Sequence, residues 1–157
     1  MAKQQLAGTH RGKVVGNADP MRCGRIKVSV AAAYGKQGAD VLPWAWPKYQ
    51  RSGDFFVPEI GESVYVEFLC TDGEPDPNTP IWTGTWNSAA EVPLEVASDS
   101  VENAHYYPIE RTTAGHRILI CDKPNAECIK IQHKAGGTIL FDKDGNVKIN
   151  GKIIYLN

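Results

Sequence analysis

The first half of the chain alternates apolar and polar side chains over short runs that are separated by turn residues. Residues 23–31 place aliphatic side chains on one face and polar ones on the other, which is typical of a strand that covers a core. Residues 63–69 carry apolar side chains on both faces, so we predict a central strand there. The inward-facing side chains of the two strands are Ile26, Val28, Val30, Val64, Val66 and Phe68.

Three shorter runs complete a predicted set of five strands. They are Lys13–Val15, Phe55–Val57 and Ile81–Thr83. Turn sequences rich in Gly, Pro, Asn and Asp lie between strands, for example at residues 17–20 and 72–77. Five short strands within about 90 residues favour a small closed barrel, because closure removes the strand edges that would otherwise pair with other chains.

Residues 88–107 lack this alternation. Pro93 and Pro108 limit any helix here to two or three turns at most, because proline interrupts the helical hydrogen bonds. Asp99 and Glu102 have the spacing of a capping box, which indicates one helical turn. We interpret this stretch as a connector packed along the barrel.

Short alternating runs return after Gly115 at intervals of about ten residues, a pattern typical of stacked β-segments. Glycine, proline, asparagine and aspartate separate the runs. A sheet with so few strands has at best a marginal core in water. These strands must therefore pack on the barrel or on copies of themselves. The predicted strands are residues 117–121, 128–133, 138–141, 147–149 and 153–156.

Composition narrows the classes of function. The 157 residues are 42% hydrophobic and carry a formal net charge of −1, whereas proteins that neutralise many phosphates are strongly basic. No run of 18 apolar residues is present and the N-terminus lacks the apolar stretch of a signal peptide, so we expect neither a membrane span nor secretion. Reduced thiols are therefore expected for the four cysteines.

Candidate catalytic and metal sites are weak in this sequence. The four histidines and four cysteines show no metal-site spacing, and Asp142–Asn146 fits a hairpin turn better than a calcium loop. No nucleophile-elbow, HExxH or phosphate-loop motif is present. Scattered carboxylates leave a cell-wall hydrolase as a remote alternative. We expect no enzyme activity, no metal and no cofactor.

The densest aromatic segment is residues 42–49. In an extended chain Trp44 and Trp46 would face the same side, with Tyr49 nearby. Such a platform on a barrel stacks bases or sugars, or it fills a protein interface, where Trp and Tyr are enriched. The near-neutral net charge argues against binding of nucleic acid at this segment. It is a weaker argument against binding of a sugar.

A series of short motifs, in a fixed order, resembles one family. The barrel region contains GKVVGNADP at 12–20, GRIKV at 24–28, PWA at 43–45, FVPEIGESV at 56–64, VEF at 66–68 and DGEPDPNTPIWTG at 72–84. The tail contains GHRI at 115–118, IKIQHK at 129–134, GTILFD at 137–142 and DGNV at 144–147. The chain resembles the central spike and baseplate hub proteins of contractile phage tails and the VgrG proteins of type VI secretion.

This resemblance implies an all-β protein in which a five-stranded OB-fold barrel precedes a short, intertwined trimeric β-helix or prism. The implied organisation is an N-terminal arm at 1–10, the barrel at 11–87, a connector at 88–109 and the β-helix stub at 110–157. Three chains would meet around a three-fold axis. The implied trimer core is Ile118, Ile120, Ile129, Ile131, Ile139, Phe141, Val147 and Ile149.

The function implied by the resemblance is structural. The protein would be the spike or hub that links the tail tube to the tip and is driven through the target envelope without integrating into its membranes. We expect a virion or injection-particle component made in the bacterial host cytoplasm, in contact with hub and tube proteins. The connector is too short for the lysozyme-like domain of some relatives. No His-x-His tip motif is present, so a separate tip protein is expected. The alternative is a carbohydrate- or peptidoglycan-binding OB-fold module that uses Trp44, Trp46 and Tyr49.

Overall fold

A computed structural model describes residues 6–88, 91–107, 109–111 and 114–154 of this chain. The chain divides into two compact units, Met1–Asn87 and Ser88–Asn157. Part of the predicted N-terminal arm (residues 1–5) and the last two residues of the final predicted strand (155–156), with residue 157, lie outside the described residues. Ile153 and Ile154, which are described, are not in a strand.

The first unit is a closed five-stranded barrel with the order β1-β2-β3-β5-β4. Neighbouring strands are antiparallel except β3 and β5, which are parallel. A short helix, α1 (Ala31–Tyr34), follows the second strand. The strands are β1 His10–Gly16, β2 Ile26–Ser29, β3 Trp44–Pro47, β4 Ser63–Thr71 and β5 Glu74–Thr85. The prediction of an all-β barrel with five strands is thereby confirmed.

Alternation along the strands builds the barrel core. Every second side chain of β2 and of the first part of β4 is buried, as the sequence pattern predicts. Trp82 on β5 is 1% exposed, and its indole N–H donates to the carbonyl of Gly24 at 3.1 Å, so a large buried ring keeps its hydrogen bond. The buried core is Val14, Ile26, Val28, Val30, Tyr34, Leu42, Ala45, Val64, Val66, Phe68 and Trp82.

One predicted barrel strand is wrong. Phe55–Val57 is not a strand, and β3 at Trp44–Pro47 takes its place in the barrel. The Phe56 ring packs edge-on against Trp82, with ring centroids 5.2 Å apart, so its apolar character serves packing outside the ladder. The alternation of apolar and polar residues does not reveal β3, because the outward side chains that flank its buried Ala45 are tryptophans and not polar residues.

The second unit contains an antiparallel sheet with the strand order β10-β9-β8-β7-β6. Each of these strands pairs with its neighbour in the same chain, so the described residues form one sheet layer. The intertwined trimeric β-helix implied by the resemblance stays a prediction. The strands are β6 Ile109–Arg111, β7 Arg117–Cys121, β8 Cys128–Gln132, β9 Thr138–Phe141 and β10 Val147–Asn150.

The connector contacts this second sheet. It contains α2 (Leu94–Ala97) and a 3₁₀ helix at Val101–Tyr106. Glu95 forms an ion pair with Arg117 at the start of β7, and Asp99 pairs with Lys123 at 2.6 Å. The sequence pattern predicts a segment packed along the barrel, and these ion pairs tie the segment to the C-terminal sheet. None of the helices in the described ranges is long and apolar enough to cross a membrane.

Candidate functional site

The C-terminal sheet presents a bare apolar face. Successive side chains of a strand point to opposite faces, so the aliphatic residues that recur at every second position collect on one side. All eight side chains of the implied trimer core lie on this side, and each is 37% to 57% exposed in the single chain. Exposed β-branched and aromatic residues that share a face make a patch of the kind that marks protein–protein interfaces.

Strand register arranges this apolar face into two rows. One row crosses the sheet through Ile118, Ile131, Ile139 and Ile149, and the other through Ile120, Ile129, Phe141 and Val147. Each row spans strands β7 to β10, which are about 4.8 Å apart, so a row is about 14 Å long. The two rows therefore form a continuous surface that carries no charged side chain.

The opposite face of the same sheet has a different environment. Leu119 and Cys121, which alternate with the exposed isoleucines of β7, are buried. Arg117 on this side pairs with Glu95 of the connector. The connector is thus held on the side away from the two rows, which leaves the rows as the uncovered face of the sheet in a single chain.

Asp99 anchors the connector. Its carboxylate accepts hydrogen bonds from Lys123 at 2.6 Å, from the Tyr107 hydroxyl at 2.5 Å and from the Asn103 amide at 3.0 Å. The Lys123 ammonium, together with these donors, holds the pKa of Asp99 well below its usual range. The same contact raises the pKa of Tyr107 to about 12, because the phenol donates to a carboxylate. The anchor is therefore a charged cluster that stays ionised at neutral pH.

Catalytic and metal chemistry finds little support in the described side chains. No group of three or more His, Cys, Asp or Glu residues among them could hold a metal ion. Cys121 and Cys128 face each other across β7 and β8, and burial raises the pKa of the Cys128 thiol, with Cys121 adding to the effect. A thiol with a raised pKa is a poor nucleophile at neutral pH.

Trp44 and Trp46 lie together on the outer face of the barrel. They flank the buried Ala45 of β3, and the guanidinium carbon of Arg25 lies 5.4 Å and 5.1 Å from their ring centroids. Asp19 fixes this guanidinium through its Nη2 at 2.5 Å and its Nε at 3.0 Å. The arginine therefore occupies one side of both indole rings in a cation–π arrangement.

Tyr49, predicted beside the two tryptophans, contacts a different set of rings. Its ring meets Trp82 edge-on with centroids 5.7 Å apart and also lies against Phe55 and Phe56. Its hydroxyl donates to the carbonyl of Phe56 at 2.8 Å. The structure therefore brings Trp44 and Trp46 together and gives Tyr49 a role in packing around Trp82.

The Asn-Ala-Asp-Pro segment after β1 has a clear structural role. The Asp19 carboxylate accepts hydrogen bonds from the backbone N–H groups of Met21, Cys23 and Arg25 at 3.0, 2.8 and 3.3 Å. The Arg25 guanidinium holds the pKa of Asp19 well below its usual range. Asp19 thereby orders the β1–β2 loop and positions the arginine that covers the two tryptophans.

A second aromatic–cationic surface, which the sequence pattern does not indicate, is formed by Arg11, Lys13 and Trp86. The two cations of β1 lie over the indole ring, at 4.7 Å and 5.8 Å from its centroid. The only local signal was two cations at alternate positions of a strand, which is also the pattern of ordinary solvent exposure. Trp86 is 73 residues from Lys13, and only barrel closure brings it there.

Residues 10–86 match the type VI secretion system/phage-baseplate injector OB domain. No curated protein matches the chain. The matched range covers all five barrel strands, with the turn that follows Asp19 and the β4–β5 hairpin. The barrel of this chain therefore belongs to the injector OB-domain family of phage baseplates and type VI secretion systems, as the sequence motifs indicated.

Proposed function

We propose that this protein is the homotrimeric central spike or hub of a contractile tail or related injection machine. In this proposal it links the tube to the tip and is pushed through the target envelope. The observation that carries the proposal is the pair of uncharged apolar rows on the C-terminal sheet. A structural baseplate domain joined to such a sheet is the combination that a trimeric spike requires.

Two further copies of the same chain are the occupants that suit the apolar rows. The rows contain aliphatic side chains and one phenylalanine and offer no polar group that would select a different partner. Three identical sheets can place their rows around a three-fold axis, which forms a closed interface without leaving an apolar face exposed. Strands β7 to β10 pair within each chain, so their backbone hydrogen bonds are made inside one sheet. The interface between chains then needs only the packing of side chains.

Mechanical stiffness would follow from this arrangement. In a prism of three sheets, each strand would be held by its own ladder and by the packed core, so bending the prism would break many contacts at once. Such a body suits a part that transmits the force of sheath contraction. The proposal also includes contacts with tube and hub proteins and a separate tip protein near the edge strand β10.

Oligomeric state is the first test of this proposal. Sedimentation velocity of the full chain should show a species of three 17.2 kDa chains at micromolar concentration. A chain truncated after Pro108 should keep a folded barrel, because all the core residues of the barrel lie before residue 83, and should trimerise weakly or not at all. A full-length chain that remains a monomer would overturn the proposal.

A carbohydrate-binding module is the second candidate function. The observation in its favour is that Trp46 is 45% exposed on the outer face of the barrel, so an aromatic surface is open there. Titration with peptidoglycan fragments should then quench tryptophan fluorescence, and Trp46→Ala should remove that response. Unchanged fluorescence of the unaltered chain would count against a sugar site.

A further inference from the structure

The outer surface of the barrel contains an open cleft with two cations. We name it the β1 cleft; its volume is about 260 Å³, and it is lined by Arg11, Gly12, Lys13, Ser29, Ala31 and Trp86. Arg11 and Lys13 occupy alternate positions of β1, so they project from the same face of the strand. Both cations lie over the ring of Trp86, which forms the wall of the cleft.

The two cations of the β1 cleft have no acidic partner among the residues placed by the structure. Lys13 donates to the carbonyl of Gly61 at 3.2 Å, and neither it nor Arg11 has a carboxylate oxygen within 4 Å in that part of the chain. Two like charges held side by side over one ring repel each other, and an entering carboxylate would relieve that repulsion. The chemistry of the β1 cleft therefore fits an acidic peptide segment.

The same barrel carries an acidic segment at the tip of its longest hairpin. Strands β4 and β5 are joined by Asp72 and Gly73, whose φ angles of 51° and 84° are those of a tight two-residue hairpin turn. We name residues 72–76 the acidic tip, because Asp72, Glu74 and Asp76 lie within these five residues and no cation does. Asp72 and Glu74 are exposed.

The acidic tip of a chain cannot reach the β1 cleft of that same chain. Arg11 pairs with Tyr65 on β4, and Asp72 follows seven residues later in the same strand and turn. At about 3.4 Å per residue, the tip lies about 24 Å from Arg11, at the far end of a hydrogen-bonded hairpin. Only a second molecule can bring these complementary surfaces together.

We propose that the acidic tip of one copy docks in the β1 cleft of the neighbouring copy within the trimer. This inference rests on the proposed function, since it needs three copies around one axis. Contacts between two different surfaces of the same molecule form a ring when the rotation closes, and three such contacts close a trimer. The barrels would thus form a collar held by charge, in addition to the apolar core of the C-terminal sheets.

Zero-length cross-linking tests the contact directly. A carbodiimide joins a lysine amine to a carboxylate only when the two are in contact, and here the reactive pair is Lys13 with Asp72 or Glu74. Trimers refolded from a mixture of ¹⁵N-labelled and unlabelled chains should yield this cross-link between labelled and unlabelled peptides. Lys13→Arg keeps the charge and lacks the amine, so it should abolish the cross-link while the trimer persists.

Charge variants separate a specific contact from random proximity. Arg11→Glu should lower the yield of the Lys13 cross-link about tenfold at low ionic strength, and 1 M salt should lower it in the unaltered protein, because exposed ion pairs are screened. Lys36→Glu, which makes the same charge change at an exposed site outside the β1 cleft, should leave the yield unchanged. A trimer without the cross-link between chains would overturn this inference and leave the proposed function intact. A monomer would overturn both.

Discussion

Ile131 provides the sharpest test of the apolar rows. It lies at the centre of the sheet on β8 and pairs with Ile118 on one side and Ile139 on the other. In the single chain it is 46% exposed, so burial in a trimer would remove the remaining half of its surface from water. That burial is worth about 1 kcal/mol per chain, since full burial of an isoleucine contributes about 1.5–3 kcal/mol.

Ile131→Asp turns this gain into a large penalty. Three carboxylates would have to enter one apolar core, and the desolvation of each is worth several kcal/mol, with mutual repulsion added. In the monomer the same position is half in water, so the substitution should affect the fold of the single chain far less. Gln132→Asp is the matched control, because it introduces the same residue one position along β8, on the opposite face.

Analytical ultracentrifugation and denaturant unfolding together decide the outcome. Ile131→Asp should be a monomer at micromolar concentration, whereas Gln132→Asp should sediment as the unaltered chain does. Both variants should keep a cooperative unfolding transition of the barrel, because its core contains no residue of the C-terminal sheet. Trimers of Ile131→Asp that are as tight as those of the control would refute the burial of this face between chains.

Three further predictions concern the barrel. Trp82→Phe should lower the free energy of unfolding by about 2–4 kcal/mol in urea titrations. A fully buried ring becomes smaller and the carbonyl of Gly24 loses its hydrogen-bond donor. An unchanged urea midpoint would contradict this packing. Gly12→Ala should lower Tm in calorimetry by an amount equivalent to about 1–3 kcal/mol, because a methyl group at this position overlaps the side chain of Val28. If the variant had the Tm of the wild type, the strand would be able to shift and make room for the methyl group. Asp19→Asn should destabilise the barrel at pH 7. Because the folded-state pKa of Asp19 is depressed, its stabilisation is complete above the unfolded value near 3.8 and is lost as pH falls through the folded value. The difference between wild type and Asp19→Asn should therefore shrink below about pH 4, and a difference that grows on acidification would contradict the assignment.

Much of the barrel could be predicted from the sequence because its strands obey a local rule. Alternation of one apolar and one polar residue fixes which side of a strand faces the core, and this holds for Ile26 and Val28 on β2 and for Val64 and Val66 on β4. The rule failed at β3, where tryptophans fill the outward positions. It also failed at Phe55–Val57, whose apolar side chains pack on rings outside the ladder.

The C-terminal face shows what periodicity determines by itself. An alternating run sets which side chains share a face within each strand, and turns such as Asp144-Gly145 set the approximate spacing of the strands. The order of isoleucines along the chain was therefore enough to place them on one side. Register between strands, which aligns Ile131 with Ile118 and Ile139 in a row, is a property of the folded sheet.

Only the tertiary structure decided which distant residues meet. Trp86 contacts Arg11 because β4 lies between β1 and β5 and closes the barrel. Tyr49 packs against Trp82 and not against the two tryptophans of its own segment. Side-chain alternation carries information over a few residues, whereas strand pairing and barrel closure depend on the packing of the whole unit. The sequence by itself thus determined most of the strands and their apolar faces. The fold decided that two cations and an indole from opposite ends of the barrel sequence line one cleft.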